Sequence, residues 1–434
     1  VRNNIKKTTK ESTSLMSFKY IDLFAGAGGL SEGFIRAGFE PIAHVELEQA
    51  ACFTLKTRTA YHYLKLTGQY NTYVSYLKGE ITRNQLYAAV PETLLSAVIN
   101  LPISGDYNPT IHKAIEKQLN GACVDLIIGG PPCQAYSLVG RARSKNSMKG
   151  DQRNYLYVQY GKYLERYKPR IFVFENVLGL LSAGSGIYLE NMKKLFKSKG
   201  YDMKVFNIEA NNFGVLQNRK RIIIIGWQEN IEFTIPDLEA IKITSGHNVK
   251  SVLNDLPIVK AGEDTGRYMR YRTRTNSYLE NNSIRNGIEI LTHHNARPHT
   301  KQDKEIYRIA VNKWNNKKER LNYNDLPERL KTHENRSSFF DRFKVVAADQ
   351  PFSQTVVAHI AKDGHYYIHP DIEQNRSLTV REAARLQSFP DDYFFEGVKE
   401  GINRTPAFKQ IGNAVPPLMA EKIAIAIKKL LSNA

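Results

Sequence analysis

Cysteine is scarce in this chain. Three stand in 434 residues, at 52, 123 and 133, too few and too unevenly spaced for a disulfide framework, and no C-x-x-C pair suggests zinc. Such usage fits a reducing compartment. Long apolar runs are missing as well: nothing approaches the roughly 18 unbroken apolar residues that span a bilayer. The segment 1–17 is polar and basic without an apolar centre, which argues against a secretory signal and for a loosely held basic arm. Acidic residues are outnumbered, 43 Asp and Glu against 61 Lys and Arg. The resulting formal charge of +18 suits a polyanionic partner, nucleic acid or an acidic membrane surface. Internal repeats and extended low-complexity tracts are absent. What remains is ordinary globular material, 42% apolar and 24% charged, long enough for two or three folded units with a large core.

The first half of the chain alternates strand and helix patterns. Tyr20–Phe24 is a short apolar run that ends in a turn, Gly26-Ala-Gly28-Gly29. A helical pattern follows with Leu30, Phe34 and Ala37 on one face, and Ile42–Val45 is a second strand ending at Glu46. Strand, glycine turn, helix and strand with a terminal acid form the opening of a nucleotide-binding α/β sheet. Further strands are predicted at Val124–Ile128, Ile171–Phe174 and Ile222–Ile225. The last has no polar face, as a central parallel strand covered on both sides would. The tyrosine-rich stretch 57–105 reads as an insertion in the helical layer. Beyond 236 the pattern breaks into scattered Asn, Arg, His and Tyr, so 236–406 is expected to be a smaller, irregular second domain. A last helix at Leu418–Leu431 is expected to return to the first domain, which then comprises 18–235 plus 407–434.

Three segments carry chemistry. In the glycine turn the backbone is open to close approach, although a plain strand-to-helix turn explains the loop equally well. Glu46 strengthens the binding reading, because a carboxylate at the tip of a second strand accepts both hydroxyls of a ribose. Ser31 stands where a dinucleotide fingerprint requires glycine, so a cofactor with a ribose but no phosphates, such as S-adenosylmethionine, fits better. In Asp125-Leu-Ile-Ile-Gly-Gly-Pro131-Pro132-Cys133-Gln134 a cysteine follows a rigid turn at the carboxyl end of a strand, where α/β sheets bind ligands. Cys52 and Cys123 read instead as small buried hydrophobes. Glu175, at the end of Ile171–Phe174, can reach the same cleft, and a thiol facing a carboxylic acid suits covalent catalysis with proton delivery. Gln217, Arg219 and Arg221 alternate onto one side before the isoleucine strand; taken alone, they read as a solvated basic stretch.

These pieces in this order resemble the DNA (cytosine-5-)-methyltransferase family, of the bacterial restriction–modification type. The match includes DLFAGAGGL (22–30), the acid at 46, GGPPCQ (129–134), ENV (175–177), QNRKR (217–221), RLQSFP (385–390) and GNAVPP (412–417). The resemblance implies a methyltransferase Rossmann-like sheet with a target-recognition domain at 236–406. It implies transfer of a methyl group from S-adenosyl-L-methionine to carbon 5 of a cytosine flipped out of double-stranded DNA. Cys133 would add to carbon 6, Glu175 would protonate or hydrogen-bond N3, and Arg221 with Arg219 would hold the cytosine oxygen and the adjacent phosphate. Amino-group methyltransferases need no thiol, so Cys133 excludes them.

By the same resemblance Phe24, Gly26, Gly28, Gly29, Glu46, Leu47, Pro131 and Asn413 line the cofactor pocket, with Asp106 as the acid facing the adenine. Leu47 stands where the family often has an aromatic. The DNA-facing set is Gln134, Ser137, Arg141 and Arg143 in a closing loop at Ser137–Gly150, then Gln217 and Thr355. Arg270, Arg272 and Arg274 complete it if they share a face of an extended strand; a solvated face is the equal alternative. His293, His294 and His299 suggest ordinary polar contacts rather than a metal. The expected molecule is a cytoplasmic, nucleoid-associated monomer, functionally paired with a restriction endonuclease of the same site. A tRNA cytosine-5 methyltransferase and a catalytically silent DNA-binding regulator are the alternatives.

Overall fold

A seven-stranded sheet organises the first half of the chain. Its strands are β1 (Lys19–Leu23), β2 (Glu40–Glu46), β3 (Val98–Asn100), β4 (Leu126–Gly129), β5 (Ile171–Asn176), β6 (Tyr201–Glu209) and β7 (Lys220–Gln228). They lie in the order β3-β2-β1-β4-β5-β7-β6. The structure, a computed structural model, describes residues 17–132, 155–232, 234–238 and 240–433. The expected arm at 1–17 therefore lies outside these residues except for its last position.

All neighbours are parallel except β7, which runs antiparallel to both β5 and β6. This corrects one expectation. Ile222–Ile225 are fully buried, as their unbroken apolar run implies, but the strand is not parallel. A run without a polar face reports cover on both sides and carries no information on direction. The short return through 210–219 leaves no room for a crossover, so the pair is antiparallel.

Helices cover both faces of the sheet. On one side α1 (Gly29–Arg36) and the C-terminal α11 (Pro417–Ser432) pack Leu30, Phe34, Met419, Ile423 and Ile427 onto Tyr20, Ile128 and Ile223. The last helix thus returns to the first domain as expected. On the other side α5 (Asn108–Leu119), α6 (Leu156–Tyr167) and α7 (Ile187–Ser198) bury Ile111, Ile115, Tyr160, Leu164 and Phe196 against Ile21, Ile127 and Phe172. The crossover after β2 is α2 (Gln49–Leu66), an unbroken helix, so the division expected at 57 falls inside it. Two further helices, α3 (Tyr70–Lys78) and α4 (Arg83–Ala88), bury Tyr73, Tyr76 and Leu86 against Ile288, Ile290 and Phe394 of the second region.

The second region has little regular structure. Among its described residues are one two-residue strand pair, β8 (Tyr268–Met269) with β9 (Leu291–Thr292), two short helices at Ser277–Asn281 and Arg336–Phe339, and the longer helices α8 (Lys301–Lys317) and α9 (Val380–Leu386). α10 (Arg404–Asn413) leads back towards the sheet, and the division expected at 407 falls within it. No helix among the described residues is long and apolar enough to cross a membrane.

Candidate active site

The strand order reverses between β1 and β4, and in open α/β sheets the crevice at that point binds ligands. Two sequence motifs meet there. The turn after β1 is built from left-handed residues: Phe24 at φ 58°, Gly26 at 56° and Gly28 at 77°. A non-glycine residue held there costs about 1–3 kcal/mol, a strain that clusters at functional sites. Gly26 N–H donates to Glu46 Oε2 at 2.7 Å and Glu48 N–H to Glu46 Oε1 at 2.7 Å, so both carboxylate oxygens are fixed at the tip of β2. Burial pushes the Glu46 carboxyl upward in pKa, against the lowering effect of these N–H donors. Gly29 must be glycine for packing: a Cβ there would stand 2.3 Å from Val415 O, which brings the GNAVPP segment onto the turn. Asn413, at the end of α10, is exposed just before that contact.

The rest of the pocket wall follows from parallel pairing. Asn100 at the end of β3 sits opposite Glu46, and its Nδ2 donates to the carbonyls of Glu46 and Leu47 at 3.1 and 2.7 Å. Leu47 is 60% exposed, an apolar side chain left uncovered beside the acid. Asp106 lies exposed between β3 and α5, on the same edge of the sheet. Cys52 donates its thiol to Glu46 O at 3.4 Å, and burial pushes that thiol up to about 12, so it is inert at neutral pH. Cys123 corrects an expectation, because it is exposed rather than buried; it precedes β4 at the edge opposite the site.

At the end of β4 the chain enters Gly130-Pro131. A Cβ on Gly130 would stand 2.6 Å from Glu175 Oε2, and Asn176 Nδ2 donates to Pro131 O at 3.3 Å. Asn176 is buried and clamps the Gly-Gly-Pro-Pro turn to β5, a role the sequence reading did not assign although the residue stood inside the quoted ENV motif. Glu175 Oε1 pairs with Arg221 Nε at 2.7 Å, both side chains 12% exposed. Arg221 Nη1 donates to Lys220 O at 2.7 Å, which holds the guanidinium edge-on to the acid. Cys133, two residues beyond Pro131, lies outside the described residues, as do Gln134, Ser137, Arg141, Arg143 and the rest of the Ser137–Gly150 loop.

Two expected residues also hold the fold together. Arg219 is fully buried, and its guanidinium donates to Val356 O at 2.9 Å and Gly412 O at 3.2 Å. It therefore joins the start of β7 to two distant segments. Gln217 is equally buried, giving its amide hydrogens to Leu386 O and Gln387 Oε1 and receiving Val356 N–H at 2.8 Å. Alternation alone puts both on one side of the approach to β7. It could not show that this side is covered by residues 137 to 193 positions away. Thr355 is half-buried and its hydroxyl donates to Asn218 O, which ties the 353–357 segment to the approach to Arg221.

Arg270, Arg272 and Arg274 are exposed, but they are not on a strand, because β8 ends at Met269. The reason is Tyr271, which turns inward and donates its hydroxyl to Asp391 Oδ2 at 2.9 Å while Arg285 stacks on its ring. The three histidines occupy polar contacts. His293 Nε2 accepts Phe395 N–H, His294 bonds Thr379 Oγ1 and Pro257 O, and His299 Nε2 meets Ser377.

A family model described as C-5 cytosine-specific DNA methylase matches residues 18–70 and 105–429. The chain belongs to that family. Its members transfer the methyl group of S-adenosylmethionine to carbon 5 of cytosine in DNA, and this chain is such an enzyme. The unmatched stretch, 71–104, contains nearly all of α3 and the whole of α4, the part expected to be an insertion. The type II methyltransferase M.Bpa9945I of Bacillus paralicheniformis is 43% identical over 95% of this chain and 99% of its own. M1.HphI of Haemophilus parahaemolyticus is 31% identical over 96% of this chain and 88% of its own. Among solved structures, a candidate DNA modification methyltransferase from an E. coli prophage superposes with a TM-score of 0.64 at 24% identity, covering 96% of this chain and all of that one, which shows a shared fold.

Proposed function

We propose that this cytosine-5 methyltransferase acts on a cytosine flipped out of a specific double-stranded DNA sequence, through a transient bond between Cys133 and carbon 6. The observation that carries the reading is the Glu175–Arg221 pair, 2.7 Å apart and packed against Gly130 at the reversal of strand order, beside the segment that leads to Cys133. Carbon 5 of cytosine is a poor nucleophile until the ring is activated. Addition of the Cys133 thiolate to carbon 6, with Glu175 donating a hydrogen bond or proton at N3, turns carbon 5 into an enamine carbon. Arg221 fixes the orientation of that acid and brings positive charge to the pocket. Once carbon 5 carries the methyl group, loss of its proton reforms the double bond and expels the thiolate.

The residues present fit S-adenosylmethionine. Glu46 retains lone pairs for two ribose hydroxyls, Gly26 faces open space where a Cβ would stand, and Leu47 offers an uncovered apolar surface. Phe24, Gly28, Gly29, Asp106, Pro131 and Asn413 complete the proposed pocket. When bound, the cofactor supplies an electrophilic methyl group. We assign 18–235 plus 407–434 to catalysis and 236–406 to target recognition, with Gln134, Ser137, Arg141, Arg143, Arg270, Arg272, Arg274 and Thr355 towards the DNA. The type II relatives support a place as the modification partner of a restriction endonuclease. The test is transfer of labelled methyl from S-adenosylmethionine to duplex DNA and to tRNA, with Cys133→Ser as control. Label on DNA alone, lost in the control, is expected; label on tRNA alone overturns the reading.

A further inference from the structure

The helix α8 presents a surface that nothing above uses. A capping box, Thr300 with Asp303, fixes its start, and Ile306, Tyr307, Ala310 and Val311 seat it on Leu321, Tyr323, Leu330, Phe343 and Ile368. Trp314 Nε1 donates to Asp349 Oδ1 at 3.0 Å and so sets its rotation. At 100° per residue the opposite face then carries Lys301, Lys304, Arg308, Asn312 and Asn315. Arg308, Asn312 and Asn315 are exposed, and no described residue bonds or pairs with any of the five side chains. On the helix itself the acid beside that face, Glu305, is held by Arg329, Nη1 to Oε2 at 2.7 Å.

Several other cations of this region are committed. Arg342 pairs with Asp363, Arg376 with Glu382, and Arg385 with Asp255 and Asp391. The α8 stripe has no such partners, and its chemistry is specific: Arg and Lys donate to guanine edges, and Asn pairs two-fold with adenine, in a groove wide enough for a helix. The stripe runs about 21 Å along the axis at ~1.5 Å per residue. Asp349, which anchors the helix, lies four residues before Ser353, whose segment pairs with Gln217 and Asn218 beside the active site. This places α8 on the element that leads to the catalytic pocket.

We propose that the exposed face of α8 enters the major groove of the substrate duplex and reads part of the recognition sequence, with Arg308, Asn312 and Asn315 on base edges and Lys301 and Lys304 on phosphates. The proposal rests on the reading of the chain as a sequence-specific DNA methyltransferase. Unmethylated genomic DNA is treated with the wild type and with Arg308→Ala, Asn312→Ala, Asn315→Ala and Arg308→Lys, and every site is read by bisulfite sequencing. Each alanine variant should relax the methylated motif at one base position, discrimination there falling about 5- to 100-fold. Lys301→Ala should weaken DNA binding on all sequences alike and reduce its salt dependence. An unchanged motif in all the variants, or uniform weakening without relaxation, overturns the proposal. Absence of any methylated motif with the wild type sinks the underlying reading instead, which separates the two failures. Because all the substitutions lie on a solvent-exposed face, equal thermal midpoints are expected and checked.

Discussion

The two halves of the molecule hold themselves together by opposite means. Inside the sheet, contact is apolar: Ile21, Ile127, Phe172 and Ile222–Ile225 are fully buried among other hydrocarbon side chains. In the segment 376–396, the side chains at 1% exposure or less include Arg376, Arg381, Glu382, Arg385, Asp391, Asp392 and Glu396. Arg385 bridges Asp255 and Asp391, Arg376 holds Glu382, and Arg58 reaches from α2 to Glu32 and Asp392. Apolar burial is non-directional and tolerates small shifts, whereas a buried ion pair is satisfied in one geometry. The difference teaches how an irregular region can be oriented on a regular one. The sheet supplies a rigid edge for the glycine turn and for Glu175, and the charge network fixes where the irregular region stands relative to it.

Breaking the network should therefore have the larger effect. Arg385→Met leaves Asp255 and Asp391 buried against fewer cations and should cost about 3–5 kcal/mol, seen as a lower urea midpoint. The same contrast predicts where pH acts. Burial holds His294 and His299 near 4 and His369 near 3. These groups are neutral when folded and bind protons more readily when unfolded. Their depressed values mean that stability is fully present above about pH 6.5 and is lost as pH falls towards 4. The loss is on the order of 3 kcal/mol for His294, the more deeply buried of the first two. Denaturation midpoints between pH 7 and 4 check this, and a flat profile would remove the distinction between the two regions.

Smaller changes sharpen the comparison. Ile224→Val should cost about 0.5–1.5 kcal/mol and leave methyl transfer intact, because apolar packing absorbs it. Tyr393 links the two regions, its hydroxyl donating to Ala27 O in the cofactor turn. Tyr393→Phe should cost about 1 kcal/mol and weaken S-adenosylmethionine binding a few-fold by calorimetry. No change in that affinity would mean that the turn holds its shape without the second region.

Legibility followed the same divide. The glycine turn, Glu46 and Glu175 were readable because strand ends of a parallel sheet gather on one edge, so a motif at each end implies a common cleft. Asn176 and Asn100 were missed because their work is to hold backbone carbonyls, which leaves no pattern in spacing. The burial of Arg219 and Gln217 was not legible, because a polar residue leading into a strand looks the same in sequence whether water or Val356 covers it. The burial of the charges in 385–392 leaves no local signal for the same reason: pairing with Asp255 and Arg58 joins residues more than a hundred positions apart. The three arginines from 270 to 274 share a face only on an extended strand, with a solvated face as the equal alternative; the chain there is not a strand, and Tyr271 between them turns inward.

The central claim is that the acid held by Arg221 works with a thiol at 133 on one pyrimidine ring. Duplex DNA carrying 5-fluorocytosine at target sites should trap the enzyme, because fluorine cannot leave carbon 5 as a proton does. Mass spectrometry of the digest should then find the adduct on Cys133, at a yield sharply reduced by Glu175→Gln. An adduct on any other residue, or methyl transfer that persists in Cys133→Ala, would contradict the account.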